Sequence, residues 1–169
     1  MSTYTLISSQ VLGSSAASVT FSSIPSTYKD LVLRVSPRGD AAVAAVSLYY
    51  QLNSDSATNY SYTRVYGDGA TATTSNYSSA TTQFLGNVTA ASSTTANTFS
   101  NIEVYIPNYT STSSRPVSSF SAQEDNATSP VYIMGIAGLY RGSSAISSIV
   151  LTLSSGNFVT GSSFYLYGV

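Results

Sequence analysis

Apolar and polar residues alternate along most of the chain. In Asp30–Ser36, Leu31, Leu33 and Val35 interleave with Val32, Arg34 and Ser36. Successive side chains of a strand point to opposite faces, so this run has one apolar and one mixed face. Pro25 precedes it and Pro37-Arg38-Gly39-Asp40 follows, and such residues punctuate strands at turns. The same design predicts strands over Tyr4–Leu12, Val19–Ser22, Lys29–Ser36, Val46–Asn53, Tyr60–Tyr66, Ile102–Ile106, Val117–Gln123, Ile149–Leu153 and Ser162–Val169. Within Tyr60–Tyr66, Tyr60, Tyr62, Arg64 and Tyr66 share one face. Val131–Tyr140 is apolar on both faces, which predicts a strand covered on both sides. Ala70–Ala80 reads as a long loop or a weak edge strand, Gln83–Val88 is ambiguous, and Ala90–Thr98 connects strands.

About nine or ten short strands separated by turn residues, with no amphipathic helix, specify an all-β fold. Between barrel and sandwich, the reading favours one antiparallel β-sandwich domain of jelly-roll type spanning residues 1–169. The expected core is Val19, Phe21, Leu31, Leu33, Val35, Val46, Leu48, Ile102, Val104, Ile149, Leu151 and Leu166.

Composition narrows the functions. The chain is 43% hydrophobic and only 8% charged, with net charge −1. It therefore presents no polycationic surface for nucleic acid and no basic cluster for anionic lipid. No apolar run approaches the roughly 20 residues that span a bilayer, and Met1–Thr5 does not resemble a signal peptide. With no Cys and no His, thiol nucleophiles, imidazole bases and Cys/His metal sites are excluded. Low charge with many hydroxyls and 14 tyrosines suits extensive contact with neighbours.

The seven acids are Asp30, Asp40, Asp55, Asp68, Glu103, Glu124 and Asp125. Asp55 with Asp68, or Glu103 with Glu124, are the carboxylate pairs that folding could form for glycosidase chemistry. Most of the acids fall in turns, where Asp caps its own backbone, so the expectation is no enzyme, no cofactor and no metal. Asn53-Ser54-Asp55 and Glu124-Asp125-Asn126 are oxygen-rich but lack EF-hand spacing. Arg38-Gly39-Asp40 spells an integrin-type tripeptide, and Asn59, Asn76, Asn87, Asn108 and Asn126 each open a glycosylation acceptor pattern. Chance produces both easily in so short a motif and so Ser/Thr-rich a chain. Tyr49, Tyr60, Tyr62, Tyr66, Tyr77, Tyr105 and Tyr109 are the candidates for an aromatic contact surface or for sugar stacking. Ordinary strand packing is the alternative for each.

Three stretches together carry a likeness. Tyr4-Thr5-Leu6-Ile7-Ser8-Ser9-Gln10-Val11-Leu12 leads into Ser18-Val19-Thr20-Phe21-Ser22-Ser23-Ile24-Pro25-Ser26-Thr27-Tyr28-Lys29-Asp30-Leu31. Glu103-Val104-Tyr105-Ile106-Pro107-Asn108-Tyr109 and Ser163-Phe164-Tyr165-Leu166-Tyr167-Gly168-Val169 follow. The chain resembles a family of small β-rich virion structural proteins of tailed bacteriophages, including aquatic and cyanobacterial ones. The resemblance implies a particle component, in head or tail, and brings no catalytic residue. Joined to the β-sandwich pattern and low charge, it leads to the expectation of a capsid decoration (cement) protein. That protein would lie on the capsid surface of the virion and bridge major capsid subunits. It would contact other virion proteins and form a homotrimer, as three-fold lattice positions invite. The rival reading is a tail- or fibre-associated adhesin binding host-surface glycans.

Overall fold

The structure is a computed structural model that describes residues 3–81, 83–126 and 131–169; the side chains of residues 75–81, 85 and 86 lie outside this description. Twelve strands are present among the described residues: β1 (Thr5–Val11), β2 (Ser18–Phe21), β3 (Leu31–Ser36), β4 (Ala45–Leu52), β5 (Tyr60–Gly67), β6 (Ala72–Thr81), β7 (Phe84–Ala90), β8 (Asn101–Ile106), β9 (Arg115–Gln123), β10 (Tyr132–Tyr140), β11 (Ile149–Leu153) and β12 (Ser163–Gly168). The excess over the nine or ten expected comes from β6 and β7. These fall on the small, polar stretch Ala70–Ala80 and the short, ambiguous stretch Gln83–Val88, whose state the sequence left open.

The strands form an eight-stranded sheet, ordered β1-β12-β3-β8-β9-β10-β5-β6, and a four-stranded sheet, ordered β2-β11-β4-β7. Every neighbouring pair is antiparallel. The sheets bury their facing sides against each other, as in a sandwich. Alternation makes this work. Leu31, Leu33 and Val35 of β3 meet Ile106, Val104 and Ile102 of β8 in register, and all six are buried. Val46, Leu48, Tyr50 and Leu52 do the same for the small sheet. All twelve expected core residues are buried.

The small sheet spans only part of the large one. Beyond β8, strands β9, β10, β5 and β6 extend the large sheet, and the inner faces of β9, β10 and β5 contact β7. Two things hold this extension. Phe84 of β7 packs edge-on to Tyr60 and tilted against Tyr50, each with ring centres 5.0 Å apart. Gly138 of β10 leaves room for the Phe84 ring. Farther along β7 the contact turns polar. Asn87 and Thr89 lie buried near Ser119, Ser121 and Gln123 of β9. Among the described residues the Asn87 Nδ2, Thr89 Oγ1, Ser121 Oγ and Gln123 Oε1 atoms have no hydrogen-bond partner.

The expectation that β10 is covered on both sides is corrected. Its inner face, with Met134, Ile136 and Tyr140, is buried, but Ile133 on the other face is 54% exposed. The apolar run misleads because glycine and alanine (Gly135, Ala137) stand where an open face usually shows charge.

Candidate contact surface on the outer face of the large sheet

The outer face of the eight-stranded sheet carries the largest exposed apolar groups. On β10, Gly135 pairs with Val65 of β5 on one side and with Phe120 of β9 on the other. Val65 and Phe120 are 53% and 52% exposed, and Ile133 stands two residues along β10 from Gly135. Because Gly135 has no side chain, these three frame a shallow apolar depression of about 340 Å³, bordered also by Tyr66, Gly67 and Ala72. Isolated apolar residues are ordinary on a surface, but neighbours grouped around a concave floor mark contact sites.

Across the same face, toward β1, the chemistry becomes aromatic and charged. Arg34 of β3 lies opposite Glu103 of β8, and its Nε donates to Glu103 Oε2 at 2.9 Å. The Arg34 guanidinium sits 5.0 Å from the Tyr4 ring centre and 5.8 Å from that of Tyr167. Tyr105 of β8 donates its hydroxyl to Asp30 Oδ2 at 2.8 Å, and this bond, with lesser help from desolvation, raises the Tyr105 pKa above the ordinary phenol value. Asp30 also accepts from the Asn108 backbone N–H. An exposed ion pair of this kind contributes little to stability, at most about 1 kcal/mol.

The seven candidate tyrosines are not assembled on this face. Tyr60, Tyr62 and Tyr109 are buried in the core. Tyr60, Tyr62 and Tyr66 do share one face of β5, as their spacing predicts, but that face turns inward. The Tyr60 hydroxyl donates to Leu52 O and Asp55 O. Tyr109 donates to Pro25 O and accepts from the Tyr28 N–H, which places it under the β2–β3 connection. Burial raises the pKa of both phenols above the ordinary value. Tyr49 is half-buried in β4 of the other sheet. Tyr66 is half-buried, meets Arg64 at 5.3 Å and borders the depression. Tyr105 is exposed on the outer face. Tyr77 lies opposite Tyr62 in the β5–β6 register, and its side chain lies outside the described residues.

The other motifs resolve into structural roles. Arg38 of the Arg-Gly-Asp tripeptide is only 8% exposed. It donates through Nη1 to Thr94 Oγ1, Thr95 O, Thr98 O and Thr98 Oγ1, and through Nη2 to Thr94 O. Asp40 accepts from Asn157. An integrin-type loop needs both side chains outward, so this tripeptide is a packing element. Asn87, buried between the sheets, cannot serve as a glycan acceptor. The Asn126 pattern runs into residues outside the described ones.

The nominated carboxylate pairs stay apart. Asp55 and Asp68 flank opposite ends of β5, whose eight residues span roughly 26 Å at strand rise. Glu103 pairs with Phe120, and Glu124 follows four residues later, roughly 13 Å along the strand direction. Inverting and retaining glycosidases hold their carboxyls within about 10 Å.

Asp55 serves its own corner. Oδ1 accepts from the Ala57 N–H, and Oδ2 accepts from Asn59 Nδ2 and the Tyr140 hydroxyl. Desolvation opposes ionisation, yet the three donors prevail and hold the Asp55 pKa below its ordinary value. Burial, then the bond to Asp55, pushes Tyr140 up to about 12. Arg115, buried and 5.0 Å from the Tyr140 ring centre, donates to Ser111 O and Gly142 O. Asn53 accepts from the Ser147 and Ser148 N–H groups. Among the described residues no group of three or more acidic side chains could hold a metal ion. Sequence reasoning missed Arg38 and Arg115 as interior residues, because an arginine beside a turn ordinarily reads as solvated.

No protein-family model, curated protein or solved structure matches the chain.

Proposed function

We propose that this chain is a structural protein of a bacteriophage particle, a capsid decoration protein docked through the outer face of its large sheet. The observation that carries the reading is the group Val65, Ile133 and Phe120 around the Gly135 floor. Such a depression offers a partner apolar anchoring with no desolvated charge to compensate. The phage resemblance supplies the partner, the major capsid protein. Copies repeated over a lattice bridge its subunits, and many modest contacts add to a high avidity. No catalytic step is proposed.

The sandwich itself is read as a jelly roll. Supporting this, β1, β12, β3 and β8 line up in one sheet and β2, β11, β4 and β7 in the other. Along those eight strands the chain changes sheet at every step except β4 to β7, which is the jelly-roll path. The β5–β6 and β9–β10 hairpins are then additions that widen one sheet and create the docking face.

The glycan-adhesin reading required a concave site holding two or more of the candidate tyrosines. Of those whose side chains are described, only Tyr66 borders the depression, so the capsid reading is preferred. Electron microscopy of intact particles carrying the labelled chain tests it. Label over the head, and heads lacking the chain that open on heating or in low salt, are the expected results. Label confined to the tail tip, or unaltered robustness of depleted heads, would overturn it. Phe120→Asp should abolish rebinding to depleted heads while shifting the unfolding free energy by no more than about 0.5 kcal/mol, as surface changes do.

A further inference from the structure

The four sheet edges are not equally protected. Strand β2 is only four residues long. Strand β1 carries a register break between Leu6 and Ser8, a device that discourages edge pairing. The end of β7 is tied down, since Gly39 N–H donates to Ala90 O and Ala90 N–H to Ser100 Oγ. Strand β6 also breaks register, beyond Tyr77, but it pairs evenly with β5 over the six residues Ala72–Tyr77, a longer straight edge than the four residues Ser8–Val11 of β1. It is ten residues long, is the last strand of the eight-stranded sheet, and has no described strand on its outer side. It contains no charge, no proline and no glycine. Natural edges are normally blunted by those residues, because a row of open N–H and C=O groups is a template for another strand.

We propose that β6 is a pairing edge and that its occupant is β6 of a second copy, antiparallel about a two-fold axis normal to the sheet. A second copy fits for three reasons. The strand pairs evenly with β5 only over Ala72–Tyr77, before the register shifts between Tyr60 and Tyr62, and the register that places the two-fold axis at Thr74, near the middle of that stretch, sets Thr74 opposite its own copy and Thr73 opposite Ser75. Antiparallel pairing of that stretch with itself sets hydroxyl residues against hydroxyl residues at the centre, a pairing with no like charges to repel. And with net charge −1 on each, the two copies approach against little electrostatic opposition.

The geometry has a further result. A two-fold axis normal to the sheet leaves both outer faces on the same side. The two depressions at Val65, Ile133 and Phe120 then lie on one continuous surface of sixteen strands, twice the eight of one copy. This pair takes the place of the trimer suggested by lattice symmetry, because a self-complementary edge closes on its mate and leaves nothing for a third copy.

Sedimentation velocity of the purified chain, with Thr74→Lys and Thr74→Glu variants, tests the pairing. Thr74 is exposed, and at the two-fold centre each new charge meets its own copy. Expected are a dimer for the parent, monomers for each variant alone, and recovered dimer when the two variants are mixed. Thermal melting of the separate variants establishes that they fold. A monomeric or trimeric parent, variants that stay dimeric, or no recovery on mixing would each overturn the proposal. The pairing rests on the edge and not on the virion reading. Phe120→Asp separates the two: it should leave the dimer intact.

Discussion

Gly138 of β10 and Phe84 of β7 touch across the two sheets so closely that a β-carbon on residue 138 would lie 2.6 Å from Phe84 Cε1. Phe84 is itself fixed between Tyr50 and Tyr60 and has nowhere to retreat. Gly138→Ala should therefore destabilise the chain by about 1–3 kcal/mol, the range for overpacking a filled core. Urea denaturation reads this as a lower midpoint. Coupling Gly138→Ala with Phe84→Leu should restore part of the loss. An unchanged midpoint for Gly138→Ala would mean that β10 can slide away from β7.

The polar contact between β7 and β9 leads to the opposite sign. The buried Thr89 hydroxyl has no hydrogen-bond partner among the described residues, which leaves its desolvation uncompensated there. Thr89→Val keeps the shape and removes the hydroxyl. The expected result is a gain of about 1 kcal/mol in unfolding free energy. A loss of similar size would show that the hydroxyl is bonded in solution, for instance to trapped water.

Arg38 allows a sharp separation of packing from recognition. Its guanidinium holds the backbone oxygens of Thr94, Thr95 and Thr98. Arg38→Met would leave those acceptors stranded, at a cost of about 2–3 kcal/mol. Arg38→Lys should recover little, since one ammonium cannot reproduce the planar fork. If thermal melting of either variant matches the parent, the loop at 94–98 does not depend on this side chain.

The Asp55 corner predicts a pH effect. Its folded pKa lies below the ordinary 3.8, so its contribution is fully present above that value and is lost as pH falls through the lower folded pKa. Stability measured between pH 6 and pH 2 should fall less steeply in acid for Asp55→Asn than for the parent. Equal acid slopes for the two proteins would remove Asp55 from this role.

The main strands and the core were readable because they keep a period of two, and several stop directly at Pro, Gly or Asn, as β3 at Pro37, β4 at Asn53 and β8 at Pro107. Leu33 and Val104, facing each other between β3 and β8, show how far alternation alone reaches. It could not tell which of two apolar-looking faces is inward. Tyr60 and Tyr62 have the same polar tips as Tyr105, and only the partner strands decide that the first two are interior. Nor could alternation find β6, whose alanine, serine and threonine side chains give little contrast between faces, or β7, where Phe84 and Leu85 are adjacent and Gly86 and Asn87 interrupt the pattern. The depression at Gly135 was invisible for a further reason: it depends on three strands meeting in register, β9, β10 and β5, which are separated in the chain by β6, β7 and β8.

The pairing of β1 with β12 sets a condition on how the molecule forms. Thr5 lies opposite Gly168, and Val11 opposite Ser163. On a ribosome the first strand emerges about 150 residues ahead of its partner β12, so the large sheet cannot close until synthesis has passed β12. Contacts this distant in sequence carry a large loop-closure entropy and slow the search for the native state. Through that interval Ile7, which packs against the core of the folded protein, stands uncovered on a strand with no charge. The molecule's vulnerable period is thus the time between making its first strand and its last, and slowing elongation should lengthen that period and raise the fraction lost to aggregation.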